Sequence, residues 1–93
     1  MLPLFLFTQV SYASNILILW DVQNDTDTTT LDSVLTTAGH NVDLAPVVEY
    51  SFDGTNPSLS AYDVVIHLNG NTYSTGIPTA GQTALVDFVT NGG

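Results

Sequence analysis

The chain has 93 residues, with nine Asp and Glu, no Lys or Arg and two His, for a formal charge of −9. Without Lys or Arg to neutralise phosphates, it is expected to bind no nucleic acid and to be a poor partner for anionic membrane surfaces, and no Lys or Arg salt bridge can form. The 44% hydrophobic content is that of a globular chain, and the lack of cysteine removes disulfides and thiolate chemistry.

Residues 1–13 read as a leader. Leu2–Phe7 is apolar, and the small residues Ser11 and Ala13 predict signal-peptidase cleavage after Ala13. A secreted or periplasmic location follows, and the run is too short to span a membrane. A packed apolar extension is the alternative reading.

Ile16–Trp20 is a continuous apolar run, the pattern of a strand covered on both faces. A polar stretch, Asp21–Thr30, leads into Leu31, Val34, Leu35 and Ala38, one stripe of a helix. Thr29 with Asp32 forms a weakened capping box and Gly39 supplies the stop. Val42 and Leu44 mark a second strand. Val47–Ala61 is a connection holding the turn dipeptides Asp53-Gly54 and Asn56-Pro57, with a single helical turn at Ser58–Ala61. Val64–Leu68 is the third strand, followed by the polar loop Asn69–Pro78. Thr79 with Gln82 is a capping box, and Ala84, Leu85, Phe88 and Val89 form the face of a last helix ending at Asn91-Gly92-Gly93.

This order predicts right-handed crossovers and a parallel sheet in the order 2-1-3. The expected fold is α/β, the first half of a three-layer doubly wound, flavodoxin-like sheet, with residues 14–93 as the N-terminal part of a longer domain. An Asn69-Gly70 hairpin is the competing topology.

Ligands of such sheets bind beyond the carboxyl ends of the strands, where the order reverses. The loops meeting there carry the candidate ligand-binding residues Asp21, Asn24, Asn69, Gly70, Asn71 and Tyr73. Both loops are polar and rich in side chains that also favour turns, so turn chemistry accounts for most of their composition. Asp21, Asp25, Asp27 and Asp32 are spaced like calcium-loop acids, but Thr26 replaces the loop glycine and Asp32 the final glutamate. His67 is expected to be buried, neutral and hydrogen-bonded, and His40 exposed. Neither has a second His or Cys at ligand spacing, so no metal, catalytic residue or cofactor is assigned. There is no Gly-x-Ser-x-Gly elbow, dinucleotide fingerprint or phosphate loop. Asn24-Asp25-Thr26 is a glycosylation sequon.

Four segments together resemble a known family. They are Asn15–Asp21, the helix closing at Ala38-Gly39-His40-Asn41-Val42, Leu59–Gly70 and Gln82–Gly93. They are similar to the opening of class I glutamine amidotransferase-like domains, nearest to the trehalose-utilisation-type branch common in secreted bacterial proteins. The resemblance implies that Asn69-Gly70 occupies the position of the family's oxyanion-hole loop. The family's Cys nucleophile, His and acid lie beyond the positions matched here, so the segment is expected to be non-catalytic as it stands. It would then bind a small polar or carbohydrate ligand. A structural or adhesive module of an acidic extracellular protein is the alternative, and a flavodoxin-like mononucleotide binder a third reading.

Overall fold

The computed structural model describes residues 13–68 and 75–93. The expectations for the leader and for Asn69, Gly70, Asn71 and Tyr73 lie outside these residues. Five regular elements follow in order: β1 (Asn15–Leu19), α1 (Thr26–Thr37), β2 (Asn41–Leu44), β3 (Val64–His67) and α2 (Thr79–Thr90). The chain is a small α/β domain whose three parallel strands lie in the order β2-β1-β3. The expected strand order is therefore present.

β1 is central because it alone can be buried on both faces. Ile16, Leu17, Ile18 and Leu19 are each 4% exposed or less. Side chains alternate across a strand, so Leu17 and Leu19 point one way and Ile16 and Ile18 the other. Leu17 and Leu19 join Ala45, Phe52 and Leu59 in the main core, against which Val65, Ile77, Ala84, Leu85 and Phe88 pack. The parallel register places Val42 and Val64 beside Ile16, and Leu44 and Ile66 beside Ile18. Asn15 lies opposite Asn41, and their side chains bond to one another at 3.0 Å.

Helix α1 starts three residues earlier than Thr29, with Asp25 as its N-cap. The proposed capping box is therefore not used: the Thr29 hydroxyl, inside the helix, donates to the carbonyls of Asp25 and Thr26. Four of its first five residues are Thr, poor helix formers. What offsets this is local. Asp27 sits in the first turn, where the helix dipole favours an acid. Buried Thr28 donates its hydroxyl to the Val22 carbonyl at 3.0 Å. The inward stripe is Thr28, Leu31 and Leu35, while Val34 is 58% exposed, a rotation of the expected face. α1 packs on β2 and ends at Gly39, whose φ of +100° is the left-handed conformation glycine tolerates.

The connection from β2 to β3 forms two short 3-10 turns, Glu49–Ser51 and Leu59–Ala61. Ser58 caps the second turn by accepting from the Ser60 amide. Between them Asp53 accepts from both the amide and hydroxyl of Thr55, at 2.9 and 2.7 Å, the side-chain-to-backbone closure typical of Asp in turns.

Helix α2 begins at Thr79, with Pro78 as N-cap. The second capping box is not formed either, because Gln82 turns back to donate to the Ile77 carbonyl at 2.8 Å. Ala84, Leu85 and Phe88 face the core as expected, but Val89 is 67% exposed.

Candidate functional site

The carboxyl ends of the strands are brought level by the sheet register. His67, the last residue of β3, lies opposite Leu19, the last of β1. Trp20 and Asp21 follow directly. The Trp20 carbonyl accepts from the Glu49 amide at 2.8 Å, pinning the first 3-10 turn to the same rim. The Trp20 indole N–H donates to the Ala45 carbonyl at 2.7 Å, tying the end of β1 to the end of β2. Three segments distant in sequence are thus fixed at one edge by backbone geometry.

The chemistry at this edge is a carboxylate–imidazole pair. Glu49 Oε2 lies 2.7 Å from His67 Nε2. The Glu49 side chain is 6% exposed and the His67 side chain 38% exposed. A carboxylate is costly to bury without a partner, so Glu49 is held where it is by the imidazole and by its own anchored turn. With Nε2 directed at the carboxylate, a neutral imidazole keeps its proton on Nε2 and leaves Nδ1 as an acceptor. A protonated imidazole donates from both nitrogens. The pair therefore offers a ligand either kind of hydrogen bond, from a ring whose orientation is fixed.

This corrects two expectations. His67 is hydrogen-bonded as expected but partly exposed, because β3 has no neighbour on its outer side among the described residues. His40 is half-buried instead of exposed, and its Nδ1 accepts from the Ser14 amide at 3.1 Å. Of the candidate residues, Asp21 is buried at the end of β1, 8% exposed, and Asn24 is exposed in the loop after it. Glu49 was not legible as a site residue. It sits in a long connection, and only the turn anchored on Trp20 carries it to the rim.

Asp27 and Asp32 lie inside α1, so residues 21–32 do not form a calcium loop. Among the described residues no three His, Asp or Glu side chains are grouped as a metal site would require. Asp32 instead accepts from the Thr36 hydroxyl at 3.1 Å. A hollow of about 610 Å³ opens at the other end of the strands, beside Ser58, Tyr62, Asp63, Asp87 and Asn91. It is an open trough with no His, so the rim at Glu49 and His67 has the stronger claim to chemistry. No helix among the described residues is long and apolar enough to cross a membrane.

No family model, no curated protein and no solved structure matches this chain.

Proposed function

We propose that the chain is the N-terminal part of a secreted or periplasmic, glutamine amidotransferase-like α/β domain with a flavodoxin-like sheet. By itself it is non-catalytic and binds a small neutral polar ligand, a carbohydrate in chemical class, at the carboxyl ends of β1 and β3. The observation that carries the reading is the Glu49–His67 pair at that rim. Asp21 is buried just beyond the end of β1, and by sequence the loop with Asn69, Gly70, Asn71 and Tyr73 leaves β3 directly after Leu68. Carboxylate, imidazole and amide groups match the donors and acceptors of sugar hydroxyls. The absence of Lys and Arg and the net charge of −9 disfavour phosphorylated or carboxylated ligands at such a rim.

The test is a titration followed by NMR. A neutral disaccharide should shift the His67 ring and Trp20 indole resonances saturably, and the matching sugar phosphate should not. Glu49→Gln, which keeps the side-chain volume, should weaken the disaccharide about tenfold or more, the usual cost of losing a charged hydrogen bond. If no neutral sugar moves those two side chains, or the phosphate binds equally well, the ligand reading is wrong.

A further inference from the structure

The amino end of the sheet grips the start of β1 from both sides. On the β2 side, Gly39 ends α1 and leaves His40 directly before Asn41, which pairs with Asn15 in the parallel register. His40 therefore stands level with Ser14. Its Nδ1 accepts from the Ser14 amide at 3.1 Å, and the Asn41 amide donates to the Ser14 carbonyl at 2.9 Å. On the β3 side, Asp63 Oδ2 accepts from the Asn15 amide at 2.9 Å, and the Asp63 amide donates to the Asn15 carbonyl at 2.8 Å. Ala13, one residue earlier, is exposed, whereas Ser14 is half-buried. The chain thus passes from exposed to pinned at the Ala13–Ser14 bond, where the small residues Ser11 and Ala13 predict cleavage.

Cleavage changes the chemistry of Ser14. Water adds across the Ala13–Ser14 peptide bond, Ala13 leaves with a carboxylate, and Ser14 keeps a primary amine that is protonated at neutral pH. Residues 14–93 contain no Lys or Arg, so apart from the two His this α-ammonium is the product's one cationic group. It carries more than one N–H donor, and the direction of one is already set by the bond to His40 Nδ1. The Asp63 carboxylate is held one residue further along, on the next amide. An imidazole acceptor and a nearby carboxylate both favour the charged amine.

We propose that His40 and Asp63 form a docking site for the α-amino group that processing creates at Ser14, so that cleavage fastens the start of β1 instead of fraying it. Capture of a chain's amino terminus is a recurring mode of recognition, and here the captured terminus is the chain's own. The proposal rests on the secreted-chain reading. It does not involve the ligand rim, which lies at the opposite ends of the strands.

The test treats the full chain with purified bacterial signal peptidase in detergent micelles and identifies the product by intact mass and N-terminal sequencing. Without lysine, an acetylating reagent has a single primary amine to attack. At about pH 8, rates are compared for the native product, freed of detergent, and the same product in urea, each normalised to a short peptide beginning Ser-Asn-Ile. The native product should react about fivefold more slowly, the effect of a partly screened hydrogen bond from a charged group. Asp63→Asn, which keeps an acceptor but no charge, and His40→Phe, which keeps a ring but no acceptor, should each raise the native rate with the circular dichroism unchanged. Cleavage at another bond, or none, overturns the proposal together with the leader reading. Cleavage after Ala13 with equal native and urea rates overturns the docking alone, as does a slow rate that folded Asp63→Asn leaves intact. The wild-type comparison decides even if His40→Phe unfolds.

Discussion

Tyr62 shows how a single side chain reports on its surroundings. Its hydroxyl donates to Asp43 Oδ2 at 2.7 Å. Burial first, and then the hydrogen bond and negative charge of Asp43, push its phenol up to about 12 from an ordinary 10.0. All three causes disfavour the phenolate. Because the folded value lies above the unfolded one, the contribution to stability is complete below pH 10 and is lost as pH climbs through about 12. The difference between the ultraviolet titrations of the native chain and Tyr62→Phe should therefore show one phenol titrating near 12. A difference curve centred near 10 would mean that the Asp43 contact does not persist in solution. Asp53 is moved the other way. Hydrogen bonds from the Thr55 side chain and backbone hold its carboxyl below the usual value, consistent with a turn closed by an ionised acid.

Among the elements, α2 contains the sharpest conflict between local propensity and packing. Alanine is a better helix former than glycine by about 1 kcal/mol, so propensity favours Gly81→Ala. The tertiary contact opposes it. A Cβ at Gly81 would clash with the Phe52 carbonyl oxygen and lie 2.7 Å from the Ile77 side chain. Real Cβ atoms do not approach backbone oxygens that closely, so α2 would have to move off the core. We expect Gly81→Ala to destabilise the chain by about 1–3 kcal/mol, as overpacked sites do. Urea denaturation measures it, and unchanged or raised stability would show that α2 does not sit this close to the Phe52 backbone. The same element shows what a sequence stripe can and cannot specify. Ala84, Leu85 and Phe88 were correctly placed inward by their spacing. Val89 and, in α1, Val34 were not, because a helix beside an edge strand has less surface to cover. The capping boxes failed for a related reason. Their residue types were present, but Pro78 and Asp25 already terminate the helices earlier in the chain.

For the whole molecule, the governing term is a charge of −9 with no Lys or Arg to compensate it. Every acid not engaged locally repels the others, and compaction brings them closer. Salt screens such repulsion over about 8–10 Å at 0.1–0.15 M. The melting temperature should therefore rise by several degrees from very low ionic strength to about 0.15 M sodium chloride. Magnesium and calcium at matched ionic strength should act alike, because no acidic loop among the described residues closes around an ion. A melting temperature indifferent to salt would show that the acids are already too far apart to interact.

Periodicity alone determined the α/β class, the parallel sheet and its 2-1-3 order, since a fully apolar run and two helical stripes admit few right-handed arrangements. It also placed Asp21 at the end of β1. The site did not emerge that way. Glu49 lies 18 residues before His67 in a connection without a regular pattern. Their meeting depends on one backbone bond, from the Glu49 amide to the Trp20 carbonyl, and on the register that sets His67 opposite Leu19. Sequence patterns record which way a side chain faces within its own element. Contacts across elements depend on where loops are anchored, and only the folded chain decides that.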